Sequence, residues 1–184
     1  FKFMSKVLVT GGLGFIGSNF IFKIINKKNF VVNVDCETYA SVNKSFLNFD
    51  SNHNYRHYNI DIADYQKVNK IITKYSFDII FHFAAESHVD KSIENSFEFC
   101  NTNVMGTLNL LESYSKLNKK NKLFIHVSTD EVYGSIKEGF FDENSIYRPN
   151  SPYSASKASS DHFVRAYYET HKLPVIITNC SNNF

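Results

Sequence analysis

The stretch Thr10–Ser18, TGGLGFIGS, restricts the possible folds of this chain more than any other. It follows a short apolar run, KVLVT (Lys6–Thr10), and opens FIGSNFIFKIINKK (Phe15–Lys28). Phe15, Ile16, Phe20, Ile24 and Ile25 recur there at close to helical spacing. A strand that runs into glycines and then directly into a helix is the start of a βα unit. Gly12-x-Gly14-x-x-Gly17 and the wider Gly11-x-x-Gly14-x-x-Gly17 both fit a dinucleotide fingerprint. Glycines there permit the tight turn, the approach of backbone to a pyrophosphate, and close helix–strand packing. The helix start adds free N–H groups and a positive dipole end. A glycine triplet alone fits an ordinary turn equally well; the flanking strand and helix favour the phosphate-binding reading.

The same alternation continues. FVVNVD (Phe30–Asp35) reads as a β-branched strand, and residues 36–54 as polar and irregular with one helical turn near Lys44–Phe49. YRHYNID (Tyr55–Asp61) alternates weakly. Asp64–Tyr75 places Tyr65, Val68, Ile71, Ile72 and Tyr75 on one helical face. DIIFHFAA (Asp78–Ala85) and KLFIHVST (Lys122–Thr129) read as strands buried on both faces, and PVIITNCS (Pro174–Ser181) as a final strand. Asn95–Leu117 and Tyr153–His171 are the long helices. Strands alternating with helices predict an α/β fold, a doubly wound parallel sheet of Rossmann type. With 184 residues the chain suits one dinucleotide-binding domain spanning residues 1–184. Ligands of such sheets sit beyond the carboxyl ends of the strands, so those ends are where function is sought.

Composition narrows the classes. A formal net charge of +2 gives no footprint for nucleic acid or a membrane surface. No apolar run is long enough to span a bilayer, and FKFMSKVLVTGG lacks a signal-peptide pattern. Cys36, Cys100 and Cys180 lie far apart, without metal spacing, and any disulfide would leave one unpaired. Reduced thiols and a cytoplasmic setting are expected, with no metal site. The chain starts at Phe1, with Met4 a candidate initiator, and stops in CSNNF. It is therefore expected to be part of a longer two-domain protein whose C-terminal substrate domain lies outside it.

Each strand end carries candidates. Asp35 can accept from both hydroxyls of a ribose and would repel a 2′-phosphate, which favours NAD over NADP; alternatively it is a strand-end turn residue. Asp61 and Ile62 are placed to touch an adenine, or Asp61 is a helix cap. Ala84 and Ala85 are small where a flat ring can approach backbone, and Ser87, His88 and Asp90 are polar groups at a pocket mouth. His88 by itself reads as an exposed loop histidine. Thr102 and Asn103 form a polar patch in an apolar helix, or are buried polar groups satisfied by nearby backbone. Tyr153-x-x-x-Lys157 puts a phenol and an ammonium on one helical face. The lysine is expected to lower the tyrosine pKa, and with the Thr129 hydroxyl nearby Tyr153 becomes a base for a substrate alcohol. VSTDEVYG (Val127–Gly134) adds two adjacent carboxylates, Asp130 and Glu131, where a core strand ends.

Together TGGLGFIGS, HFAAESHVDKSI, VSTDEVYG, PYSASKA and TNCSNN resemble the extended short-chain dehydrogenase/reductase superfamily, and within it the dTDP-glucose 4,6-dehydratase family. The glycines and YxxxK are shared across the superfamily; STDEVYG and AAESHVD are more specific. The resemblance implies that Gly11, Gly14, Phe15, Ile16, Gly17, Asp35, Asp61, Ile62, Ala84, Ala85, Thr102, Tyr153, Lys157 and Asn183 hold NAD. Ser87, Thr129 and Asn182 would contact a nucleotide-sugar. Thr129, Asp130, Glu131, Tyr153 and Lys157 would be the catalytic set, with Tyr153 deprotonating the 4-hydroxyl, Glu131 removing the proton of carbon 5, and Asp130, kept protonated, protonating the departing 6-hydroxyl. Repulsion between adjacent carboxyls separates their pKa values into a base and an acid. Relatives continue beyond SNN into a smaller substrate-gripping domain, so little turnover is expected from this stretch alone. A homodimer through the two long helices is implied as well. A UDP-glucose dehydratase, a 4-epimerase or decarboxylase on the same scaffold, and a noncatalytic dinucleotide-binding module stay open as alternatives; an epimerase has no use for the acid pair.

Overall fold

The computed structural model describes residues 5–25, 29–42 and 52–183. The helical turn expected near Lys44–Phe49 and the end of the first helix at Asn26–Lys28 lie outside them. Among the described residues, six strands form one sheet in the order β3-β2-β1-β4-β5-β6. The strands are β1 (Lys6–Thr10), β2 (Phe30–Asp35), β3 (Tyr55–Asn59), β4 (Ile79–His82), β5 (Leu123–Thr129) and β6 (Val175–Cys180). Every pairing is parallel, with registers such as Leu8 against Val32 and against Ile80. Strand order reverses between β1 and β4, and the crevice at that reversal is where this topology leaves room for a ligand.

The helices are α1 (Phe15–Ile24), α2 (Tyr65–Tyr75), α3 (Val89–Glu94), α4 (Ser96–Phe99), α5 (Thr107–Ser115) and α6 (Pro152–His171). On one sheet face Leu8, Val32, Val34, Ile80 and Phe124 pack with Val68, Ile71 and Ile72 of α2, Leu110, Leu111 and Tyr114 of α5, and Val164 of α6. On the other, Val7, Val9 and Val31 pack with Ile21 of α1 and Ile25. The second face is covered unevenly. Along the row Val9, Phe81, Ile125, Ile176, exposure rises from 0% at Val9 to 46% at Ile176 on the edge strand.

Several boundaries differ from the sequence reading for local reasons. β4 stops at His82, because Phe83 to Ser87 leave the sheet to line the crevice. Asp64 caps α2, its side chain accepting from Lys67 N–H, so Asp61 is not that cap. The helix expected over Asn95–Leu117 is α4, a π-helical stretch at Cys100–Gly106, and α5. α3 has no counterpart in the sequence reading; VDKSIE is too short and polar to show a period. α6 opens with a full capping box, Ser151 with Ser154, and Pro152 in the first turn, which fixes where Tyr153 enters the helix.

Candidate active site

Two adjoining clefts occupy the crevice at the carboxyl ends of the strands. The first is bordered by Gly11, Gly14, Asp35, Asp61, Ile62, Ala84, Ala85 and Thr102. The second shares Gly11, Gly14 and Ala85 and continues past Phe15, Ile16 and Gly17 to Ser87, Thr129, Asp130, Glu131, Tyr153, Lys157, Asn182 and Asn183. The residues assigned from the sequence to cofactor, sugar and catalysis thus face one continuous groove. His88 and Asp90 do not: both are exposed, and His88 instead lies against the Tyr39 ring. Thr38 lines the groove although no motif marked it, and Glu86, Cys180 and Ser181 line it from within quoted motifs that gave them no role.

Gly11 and Gly17 of the glycine loop are held by contacts that leave no room for a side chain. Gly11 has φ +70° and donates to Val34 O, and a Cβ on it would come within 2.5 Å of Ala84 N. A Cβ on Gly17 would meet Gly11 O at 2.2 Å. Leu13 N–H donates to Asp35 Oδ2 at 2.9 Å, and Glu37 N–H to Asp35 Oδ1 at 2.8 Å. The Asp35 carboxylate therefore sets both loops of the first cleft. Gly14 starts α1 with no side-chain cap, which leaves the helix start to an incoming anion. The Cys36 thiol is pushed up to about 11, first by partial burial and then by the charges of Asp35 and Asp61. That negative field is unfavourable for a 2′-phosphate. Glycine cradle, helix start and acidic end of β2 together fit a dinucleotide lacking one.

Behind the groove, Thr107 donates to Asn103 O at 2.6 Å, so its oxygen is free to accept from His82 Nε2–H at 2.9 Å. His82 Nδ1 then accepts from Thr10 at 2.7 Å. Asn103, buried, bonds the Glu86 backbone and Ser156, which answers the question its sequence position raises: it is a satisfied core amide.

The reactive half is built by β5 and α6. β5 ends at Thr129, whose hydroxyl accepts from Glu131 N–H at 3.2 Å and caps the 3₁₀ turn Asp130–Tyr133. Tyr153 and Lys157 are buried, and Lys157 Nζ donates to Val127 O at 2.8 Å. Burial lowers Lys157 to about 8 against the opposing pull of Asp161. Tyr153 moves the other way from the sequence expectation: burial, then Glu131, push it up to about 12, while a hydrogen bond with Thr129 pulls it down. One N–H of the Lys157 ammonium donates to a backbone carbonyl, and the charges that act on the phenol are those of carboxylates. The acid pair also departs from expectation. The sequence reading assigns the raised carboxyl to Asp130; in the structure, partial desolvation and then the Asp130 charge raise Glu131.

A sheet with this strand order, a glycine loop at its reversal, and a Tyr-x-x-x-Lys helix across the groove define the extended short-chain dehydrogenase/reductase class. More narrowly, the chain belongs to the GDP-mannose 4,6-dehydratase family, whose pattern it matches over residues 8–184. It is 47% identical over 191 aligned residues to a dTDP-glucose 4,6-dehydratase of Haemophilus influenzae, covering 98% of this chain and 56% of that protein. The structure of a dTDP-glucose 4,6-dehydratase from Streptomyces venezuelae, solved with NAD bound, superposes with a TM-score of 0.88 at 43% identity, covering 97% of this chain and 56% of the other. A UDP-glucose 4-epimerase of Thermotoga maritima, solved with UDP-glucose, superposes with a TM-score of 0.84 at 30% identity, covering 95% and 54%. The chain spans about half the length of the relatives it matches. Among the described residues no helix is long and apolar enough to cross a membrane, and no cluster of His, Cys, Asp and Glu could hold a metal ion.

Proposed function

We propose that this chain carries the NAD-binding domain and catalytic groups of a dTDP-glucose 4,6-dehydratase. The observation that carries the reading is the placement of Asp130 and Glu131 at the end of β5, in the same cleft as Tyr153, Lys157 and the glycine loop. Gly11, Gly14, Phe15, Ile16, Gly17, Asp35, Asp61, Ile62, Ala84, Ala85, Thr102 and Asn183 hold the dinucleotide; Ser87, Thr129 and Asn182 hold the sugar. NAD, when bound, supplies reversible acceptance of a hydride from carbon 4 of the sugar.

The residues have separable tasks. Tyr153 takes the proton of the 4-hydroxyl, held in position by Thr129. Lys157 places a positive charge beside the phenolate that results. Oxidation at carbon 4 acidifies the hydrogen on carbon 5, which Glu131 removes. Its raised pKa suits a base that takes a proton and returns it to the same carbon. Asp130 delivers the proton with which the 6-hydroxyl leaves as water. An epimerase on this scaffold needs the tyrosine and lysine but neither carboxyl.

The reading includes a homodimer and a cytoplasmic setting. Met105, just before α5, and Phe163 and Tyr168 on α6 are exposed large side chains on the two helices expected to pair, and they support the dimer. The test is an assay of the intact protein with NAD and, separately, dTDP-glucose, UDP-glucose and GDP-mannose. The expected result is a 4-keto-6-deoxy product from dTDP-glucose in clear preference. A 4-epimer as sole product, or no product from any of the three, overturns the proposal.

A further inference from the structure

The helix that presents Tyr153 and Lys157 carries a third polar residue at the same spacing. Asp161 follows Lys157 by four residues, on the same face of α6, and is 2% exposed; Lys157 is 3% exposed. A carboxyl so deep in a core is costly unless its charge is answered. Its Oδ2 accepts from Ser128 Oγ at 2.8 Å and from Tyr147 Oη at 2.9 Å, and the Asn179 amide also hydrogen-bonds it. These are neutral donors, which favour the ionised carboxylate but bring no compensating charge; burial outweighs them and holds the carboxyl above its ordinary value, with the Lys157 charge the largest influence in the other direction.

Two groups near it could supply that charge. His126 on β5 brings Nε2 to 3.2 Å from Asp161 Oδ1, yet neither His126 nitrogen nor Oδ1 makes a hydrogen bond. The ring packs between Phe124 and His82. Burial, and then the charge of Lys157, hold it neutral. That leaves Lys157. The ammonium donates to the Val127 carbonyl of β5 and feels the charges of Asp161 on α6 and Cys180 on β6; its own charge acts on His126 of β5 and His82 of β4, and Tyr153 lines the same cleft. Around Tyr153 stand Thr129, Asp130 and Glu131 as well as Asp161.

We propose that Asp161 is the counter-ion of Lys157 and a positioning residue for the tyrosine–lysine pair: it touches no substrate, but keeps the ammonium charged while Tyr153 takes up and gives back a proton. The inference rests on the reading of this cleft as a hydride-transfer site. Asp161 raises Lys157 against the burial that lowers it, and it also raises Tyr153. Removing its charge while keeping its shape therefore moves both groups downward.

The experiment is Asp161→Asn in the intact protein, read by carbon-13 NMR of ring-labelled tyrosine, with the Tyr153 resonance assigned by its loss in Tyr153→Phe. The Tyr153 midpoint is expected to fall by about one pH unit. Both limbs of the pH profile of kcat/KM are expected to move to lower pH by a similar amount. Asp161→Glu, which restores the charge, is expected to bring both back toward their starting values. A residue that only holds the helix in place would reduce stability and leave the Tyr153 midpoint unchanged, and that outcome overturns the proposal. Should the asparagine variant fail to fold, the unsubstituted protein decides: deprotonation of Lys157, followed at its labelled ε-carbon, must perturb the Asp161 carboxyl resonance at the same midpoint, and independent titrations overturn the pairing. If the protein forms no 4-keto-6-deoxy product, the dehydratase reading fails while these titrations still decide the role of Asp161.

Discussion

Asn103 and Glu86 exchange a reciprocal pair of hydrogen bonds, each 2.9 Å: the Asn103 side-chain amide accepts from Glu86 N–H and donates to the Glu86 carbonyl. A third bond runs from the same amide to Ser156 Oγ at 2.8 Å, and Ser156 donates to Tyr153 O at 2.7 Å. One side chain thus ties the loop carrying Ala84 and Ala85 to the first turns of α6. Asn103→Ala leaves two backbone groups and a hydroxyl without this partner at a site 1% exposed. The expected cost is about 2–4 kcal/mol in urea unfolding. Affinity for NAD should fall with it, because the loop at the groove is no longer held; titration of the variant with NAD checks this.

The glycines of the first turn should separate by function. Gly17→Ala drives a Cβ to 2.2 Å from Gly11 O and 2.8 Å from Gly12 Cα, backbone that cannot retreat without moving α1 off β1. A destabilisation of about 1–3 kcal/mol is expected. Gly14→Ala meets only Gly11 O, at 3.3 Å, so unfolding should change by less than about 1 kcal/mol. Gly14 nevertheless borders both clefts, where a pyrophosphate must approach backbone, and NAD affinity is expected to drop about tenfold or more. Denaturation and NAD titration of the two variants side by side make the check; equal losses of stability would contradict the contact geometry.

Acid should weaken the fold through its buried histidines. Burial is the first cause holding His82 and His126 well below the ordinary imidazole value, with repulsion from Lys157 adding to both and from His126 adding at His82. The unfolded chain takes up these protons near pH 6.5, and the folded chain only at lower pH. Below pH 6.5 the unfolded state binds more protons, so stability is full above that value and is lost as pH falls toward the folded pKa values. The slope is about 1.4 kcal/mol per pH unit for each histidine. His126→Asn should roughly halve this contribution between pH 6.5 and 5, measured as urea midpoints across that range.

How much of this was legible in the sequence depended on how local the cause was. β1 and β2 begin and end where their apolar runs do, and the candidate cofactor, sugar and catalytic residues could be placed because strand ends in a parallel sheet face the ligand. The π-helical stretch Cys100–Gly106 was not legible: it interrupts an otherwise helical pattern where Asn103 turns inward to bonds with loop and α6 that only the tertiary fold supplies. Asp161 was not singled out, although its four-residue spacing from Lys157 stands in the sequence. The direction of the Tyr153 shift was out of reach for the same reason: burial, its first cause, is set by elements distant in sequence.

Glu131 is the group whose replacement best separates oxidation from elimination. It stands in the same cleft as Tyr153, and its charge is among the causes that raise the phenol. Glu131→Gln removes the base for the carbon 5 proton but leaves Tyr153, Lys157, Thr129 and the glycine loop in place. Product formation should fall about 10²–10⁴-fold, the range for loss of a positioned general base. Oxidation at carbon 4 should survive: mixing the variant with dTDP-glucose is expected to give the absorbance of reduced cofactor without release of the 4-keto-6-deoxy product. In heavy water the recovered dTDP-glucose should carry no deuterium at carbon 5. The Tyr153 phenol, relieved of one facing carboxylate, should also titrate at lower pH than in the unsubstituted protein. Undiminished deuterium at carbon 5 would remove Glu131 from its role and leave Asp130 as the candidate base.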